Sequence, residues 1–482
     1  MPNSIESTIR SAVGKGLGMV AEFNRGRMAA PDRPHPYLTG IHRPMTTEES
    51  LSDLVVEGAI PPELDGRYLR IGPNPVTPPN PADYHWFTGD GMAHGIRIAG
   101  GRAAWYRNRW IRSNAVSDAL GEPRASGSRN PRTDTANTNI IGHAGRTWAI
   151  VEAGGYPVEL SDGLDTVAHN PFGGTLTTAF SAHPHRDPAT GDLHAICYDA
   201  PVMDTVWHVV VDPAGHVVRQ EAIAVEHGPS IHDCAITEHY VLVFDLPVTF
   251  SMKAMLGGRR FPYQWNPAHR ARVGLCPRTG RGADTIWCDV DPCYVFHPGN
   301  AFERADGCVI VDVVAHDTMF AQSVFGPDSP ASRLERWTID PVAGAVTRAV
   351  LHEHPQEFPR FDERQTGRPY KWLYSVALPQ DGRGELSISD TRLFRHDVEA
   401  AKTDIRDCGP GRHPGEFVFV PRSGEAAEGD GWLIGMVVDL PGERTELQIL
   451  DAGDFTGAPV AVIHIPHRIP PGFHGNWVPG GL

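Results

Sequence analysis

Glycine and proline interrupt this chain throughout: 51 Gly and 43 Pro are scattered over 482 residues without a low-complexity run. Proline denies a helix interior one backbone donor and glycine costs it roughly 1 kcal/mol. Long helices are therefore excluded from most of the chain. Short β-branched runs fit between the breaks. Residues 207–211 precede turn residues at 212–215, and 240–244, 308–314, 432–438 and 459–463 are bounded by Gly, Pro or Asp in the same way. The last hundred residues read as a meander turning at Pro441-Gly442 and Gly453. No fixed-period repeat emerges, yet evenly distributed groups of four strands suit a propeller better than two packed sheets. The expected fold is all-β, with one large domain over residues 31–482.

Residues 1–30 differ. Ile5, Ile9, Val13, Leu17 and Val20 recur at helical spacing, with Met19 and Phe23 beside them and Arg10, Lys15, Arg25 and Arg27 interspersed. Gly14, Gly16 and Gly18 weaken such a helix, so it needs a surface on which to dock its apolar face. A bilayer surface and the chain's own domain both satisfy that need.

Composition excludes several classes. A formal net charge of −15 suits no phosphate backbone, so nucleic acid is not an expected partner. Seven cysteines without CxxC spacing suggest neither a disulfide framework nor a thiolate zinc site, and a reducing cytoplasm is the expected compartment. No 18-residue apolar run or signal-peptide core is present.

Among 24 histidines, four fall in turn-flanked contexts: His183 in Ala-His-Pro-His-Arg-Asp-Pro, His232 in Ile-His-Asp, His297 in Phe-His-Pro-Gly-Asn-Ala, and His474 in Gly-Phe-His-Gly-Asn-Trp. Each adjoins a strand signal and a residue expected to stop the strand. Separations of 49, 65 and 177 residues assign them to different blades, whose inner strands meet around one axis. Imidazole suits Fe, Zn, Cu or Ni. Four neutral nitrogens leave the ion's charge uncompensated, and carboxylates behind the rings would offset it and fix the tautomers. Glu152, Glu357 and Glu416 sit among apolar, Pro or Gly residues and are the candidates. His185, His239, His464 and His467 lie nearby, and taken singly any of these histidines reads as a structural or surface residue.

On these residues the chain resembles the carotenoid cleavage oxygenase family, which includes bacterial apocarotenoid and lignostilbene dioxygenases. Residues 61–75, with Gly-Arg-Tyr-Leu-Arg-Ile-Gly-Pro-Asn-Pro, look like the family's first motif, and 87–94 like its Gly-Asp-Gly-Met turn. The resemblance selects His183 over His185 and runs from about residue 38 to 481. It implies a seven-bladed propeller with a dome of loops over one Fe(II) per chain. O2 is then the co-substrate, and the chain a monomer. It also implies Glu152, Glu357 and Glu416 behind three of the four histidines, with His183 not so paired. Thr138, in Ala-Asn-Thr-Asn, matches a position beside the open side of the iron, where its methyl limits access to one vacant site.

The chemistry implied is oxidative scission of a conjugated double bond into two carbonyl products. Two substrate classes follow from the family. Stilbene-type members use a lysine and a tyrosine on a phenolic hydroxyl, and the lysine is expected before the Ala-Asn-Thr-Asn turn. Here that stretch carries Arg124, Arg129 and Arg132 and no lysine, which favours a carotenoid or apocarotenoid. The apolar segment 250–256 is a candidate tunnel mouth for a membrane-dissolved polyene. A polyene-binding or isomerising propeller is the reading from another class.

Overall fold

The computed structural model describes residues 16–380 and 385–480. Strands dominate, and they group into sheets built mainly of antiparallel meanders. His185–Arg186, Leu193–Cys197, Thr205–Val211 and Val217–Ala224 form one such sheet. Gln356–Phe361, Trp372–Ala377, Arg392–Asp397 and Lys402–Asp407 form another. Position in the meander follows from sequence pattern. The strands Val309–His316 and Gly431–Asp439 are buried along their whole length, as continuous apolar runs with both faces covered should be. Lys402–Asp407, the last of its meander, is largely exposed and charged.

The leading strands of successive sheets touch one another. Asn139–His143 meets Gly475–Pro479, which meets Arg412–Pro421, then Gln356–Phe361, then Tyr294–Glu303, then Cys234–Ile236. The arrangement is therefore propeller-like, with the leading strands around a common axis. Each interior between neighbouring sheets is its own apolar cluster, as where Trp148, Phe172 and Phe180 fill the gap between two of them.

Chain closure uses both termini. Gly475–Pro479 pairs with Gly66–Pro73 near the start, and Val56–Gly58 pairs with Ala461–Ile465 near the end. Glycine is needed at the closure because backbones nearly touch: a Cβ at Gly472 would lie 2.8 Å from the Ile71 carbonyl oxygen. The same need explains the Gly-Asp-Gly-Met turn, where a Cβ at Gly91 would fall on the Ala136 carbonyl.

Residues 16–25 are helical, while Ile5, Ile9 and Val13 lie outside the described residues. The helix end is tied to the loop side of the molecule by Asn24 Nδ2 donating to Leu256 O (2.7 Å) and Arg25 Nε to Gly258 O (3.1 Å). The apolar segment near 250 forms the short helix Met252–Leu256, capped by Ser251, and its Ala254 lines a small recess together with Arg260, Phe261 and Tyr263. No helix among the described residues is long and apolar enough to cross a membrane.

Candidate metal centre

His183, His232 and His474 each stand just ahead of a leading strand, where the chain turns into the sheet. His297 differs from the expectation. It lies inside Tyr294–Glu303, which continues through Pro298 and Gly299 by shifting register instead of stopping. Register shifts also occur beside Glu357 and Glu416, in Gln356–Phe361 and Arg412–Pro421. A bulge re-aims side chains that regular pleating would send elsewhere. Ala153 and Phe358, directly after Glu152 and Glu357, take left-handed backbone at φ 60° and 55°, local strain of the kind that gathers at sites.

The four imidazoles converge. Nε2 of His183 lies 3.1 Å from Nε2 of His232, which lies 3.2 Å from Nε2 of His297. The His474 ring centroid is 4.4 Å from that of His183 and 4.7 Å from that of His297. All four are buried. Their backbones come from remote parts of the chain: His474 N–H donates to Thr138 O at 3.2 Å, and Ile71 N–H to His474 O at 3.0 Å.

Three carboxylates stand behind the rings. His297 Nδ1 is 2.6 Å from Glu357 Oε2, and His474 Nδ1 is 3.0 Å from Glu416 Oε1. His232 Nδ1 is 2.8 Å from Glu152 Oε2, but that approach is too bent to satisfy hydrogen-bond geometry. Glu357 also takes His316 Nε2 at 2.6 Å and the Phe358 N–H at 2.8 Å, while Glu416 takes the Gly475 N–H at 2.9 Å. Burial works to raise both carboxyls, yet the histidines and, for Glu416, first of all Arg360 outweigh it. Glu357 is held far below the usual range and Glu416 at about 2. Burial, reinforced by the neighbouring rings, pushes His183 well below an ordinary histidine.

This donor set fits a cation. A ring that gives its Nδ1 hydrogen to a carboxylate presents Nε2 as a bare acceptor. His297 and His474 are held in this way, and with Nε2 atoms 3.1 and 3.2 Å apart across the cluster a cation at their common point gives the inward nitrogens one shared partner. Nitrogens at right angles around one ion, with bonds of about 2.1 Å, stand about 3 Å apart. The spacing matches.

Two cavities meet at the cluster. One, of about 280 Å³, is walled by Trp86, Phe87, Phe261, Phe296, Phe358 and Phe473 and ends on His232, His297 and His474. Its cover comes from loops that include 133–138, 260–263 and 386–388, and Thr138 lines it with its hydroxyl donated to Asn137 Oδ1 at 2.9 Å. The other, of about 390 Å³, lies along the axis and touches His183, His297 and His474.

His185 stays outside the cluster and pairs with Asp233 at 2.8 Å. His239 pairs with Glu303 at the surface, and His467 stands 3.3 Å from the Tyr106 hydroxyl. Arg124, Arg129 and Arg132 are occupied by Asp118, Asp134 and Asp199. Sequence reasoning did not find His316 or Arg360, the further partners of Glu357 and Glu416. His316 ends an apolar strand and carries no motif, so only its position across the sheet from Tyr294 betrays it.

Comparison with known proteins agrees with this geometry. The family described as Retinal pigment epithelial membrane protein (RPE65) matches residues 42–479. A carotenoid cleavage oxygenase of Mycobacterium tuberculosis is 41% identical, over 93% of this chain and 99% of that protein. The crystal structure of Pseudomonas brassicacearum lignostilbene dioxygenase superposes with a TM-score of 0.83 at 29% identity, covering 94% of this chain and all of that one. Cobalt-substituted Synechocystis apocarotenoid oxygenase gives 0.80 at 29% identity, over 90% and 97%. With its imidazole cluster, its propeller-like sheets and a match over nearly its whole length, the chain belongs to the RPE65 family of carotenoid cleavage oxygenases.

Proposed function

We propose that this chain is a ferrous dioxygenase that cleaves one conjugated carbon–carbon double bond of a carotenoid or apocarotenoid, with His183, His232, His297 and His474 as the metal ligands. One observation carries the reading: an aromatic-walled cavity ends on three of four imidazoles that converge with no other ligand type among them. Four histidine nitrogens would hold the ion and would leave room beside it for O2 and the alkene. Iron(II) bound there supplies the electron density that lets triplet O2 react with a closed-shell alkene. Both oxygen atoms end up on the two alkene carbons as carbonyls, so no general base is needed.

The protein's own part is positional. Phe87, Phe296, Phe358 and Phe473 hold a flat polyene and exclude water near the cluster. Glu152, Glu357 and Glu416 keep three rings aimed inward and offset the ion's charge. Thr138 has spent its hydroxyl on Asn137, which leaves the methyl to limit access to one open position.

Stilbenoid cleavage is the second reading, favoured by Tyr263 in the cavity wall and by the likeness to lignostilbene dioxygenase. Against it, no lysine lines the cavity among the described residues, and its one arginine, Arg260, is paired with Asp83 at 2.8 Å. Iron-loaded protein incubated in parallel with β-apocarotenals and resveratrol tests the choice by O2 uptake and product mass. Aldehydes are expected from the apocarotenals. Products from resveratrol alone would reverse the ranking, and bound iron without O2 uptake on either would leave a binding or isomerising protein.

Two structural extensions belong to the same proposal. We read the propeller as seven-bladed, because the eight-stranded sheet splits naturally where its halves join through a single parallel pair, Asp289 with Ala345. We also place the helix at residues 16–25 against a lipid surface. Met19, Val20 and Phe23 are 67%, 48% and 59% exposed, and Arg25 on the same helix lies 3.8 Å from Asp83, the partner of Arg260 at the cavity. Phe23→Asp is expected to abolish co-sedimentation with anionic phospholipid vesicles; retention equal to wild type would refute the lipid contact.

A further inference from the structure

We propose that the metal ion reaches the cluster through the polar axial cavity, with His185 and Asp233 as a holding point on the way. The inference rests on the four-histidine metal site and adds the route by which it fills.

The two cavities offer an ion very different surroundings. The aromatic cavity touches His232 but not His183; its two carboxylates, Glu152 and Glu357, lie at its inner end behind rings of the cluster, and the phenyl and indole groups along the rest of its wall give a hydrated dication little in exchange for lost water. The axial cavity touches His183 but not His232. It is lined by Asp233, Glu363 and Glu416 and by His143 and His185, and its rim carries the exposed residues Gly145, Arg186 and Pro479. Two arginines face it as well, and both are engaged. Arg360 bonds Glu363 at 2.6 Å and Glu416 at 3.3 Å, and Arg186 donates to Gly142 O at 2.9 Å and meets His143 Nδ1 at 3.2 Å. Oxygen and nitrogen donors are thus available in steps from rim to cluster.

The holding point sits where those steps meet the cluster. His185 Nε2 is 2.8 Å from Asp233 Oδ1, which also accepts the Cys234 N–H at 2.6 Å. Donor atoms of His185, Asp233 and Cys234 lie within 4.8 Å of one another, a second group able to grip an ion. Asp233 Oδ2 is 3.6 Å from His183 Nδ1, beyond hydrogen-bond reach. His183 is therefore the one cluster ring without a carboxylate at hydrogen-bonding distance, whereas the other three have one at 2.6 to 3.0 Å. A ring so lightly held can turn to accept an ion from the pair beside it.

Uptake kinetics decide the matter. Metal-free full-length protein is mixed with Co2+ alone and followed by the visible absorption of the bound ion. Wild type is expected to fill to one ion per chain. His185→Ala is expected to reach similar occupancy about tenfold more slowly. Glu363→Arg, at a side chain 58% exposed and so tolerant of change, is expected to slow uptake in a salt-dependent way. Filling the aromatic cavity beforehand with a saturated detergent chain is expected to leave the rate unchanged. Wild-type rates in both variants, or uptake blocked by the detergent, would overturn the route. Retention of a stoichiometric ion in His297→Ala would instead refute the metal site itself, so the two failures are distinct.

Discussion

His297→Ala is expected to leave the purified protein with less than about a tenth of an ion per chain and no measurable alkene cleavage, whereas His185→Ala keeps its ion at equilibrium. The contrast follows from geometry. His297 Nε2 stands 3.2 Å from His232 Nε2, and its ring lines both cavities, so it faces the point that all four rings share. Removing it also strands Glu357, which would keep His316 as its only ring partner. Loss of a group behind a ligand costs roughly 10–100-fold in metal affinity, and loss of the ligand itself costs more. His185, by contrast, has its Nε2 turned to Asp233. Metal content by atomic absorption after anaerobic loading checks both. Equal losses in the two variants would show that the wrong histidine of the Ala-His-Pro-His segment had been chosen.

Glu416→Gln is expected to weaken metal binding by roughly 10–100-fold and to destabilise the metal-free protein near neutral pH. The carboxylate serves three groups at once: His474 Nδ1, the Gly475 N–H and Arg360. Glutamine is neutral and leaves the half-buried Arg360 charge with Glu363 as its one remaining carboxylate partner, a loss on the order of 1–2 kcal/mol. The pH dependence has a definite sign. Glu416 is held at about 2 against an ordinary 4.5, so the stability from its ionisation is complete above 4.5 and is lost as pH falls toward 2. The gap in Tm between wild type and variant should therefore be widest at neutral pH and narrow on acidification below about 5. A gap independent of pH would mean that the carboxylate's charge does not matter to the fold.

Much of the architecture was legible because its signals are local. Runs such as 432–438 and 308–314 occur as strands, Gly431–Asp439 and Val309–His316, since continuous apolar β-branched residues bounded by turn formers have few other solutions. The fourfold histidine set was legible for another reason: each His sits in its own unusual turn context, and a resemblance to known motifs ranked His183 above its neighbour His185. The apolar segment near 250 was legible only in part, because composition alone does not say which face of a loop turns toward a cavity. Met252–Leu256 adjoins the aromatic cavity through a small recess lined by Ala254, and the residues that wall the cavity itself, Arg260 to Tyr263, carry no motif.

The sequence by itself determined the strand-and-turn character of this protein and the chemical inventory of its centre: four imidazoles and three carboxylates. Only the tertiary structure decided which nitrogen of each ring points inward, that Glu357 is shared with His316, that Asp233 approaches His183 without bonding it, and that two cavities, one more aromatic and one richer in charged groups, meet at one point. The division has a physical cause. Strand propensity and turn chemistry act over a few residues and leave a trace in the local pattern. Convergence around an axis depends on how whole sheets stack and where their bulges fall, and separations of 49, 65 and 177 residues assign the histidines to different blades without saying how their rings are aimed.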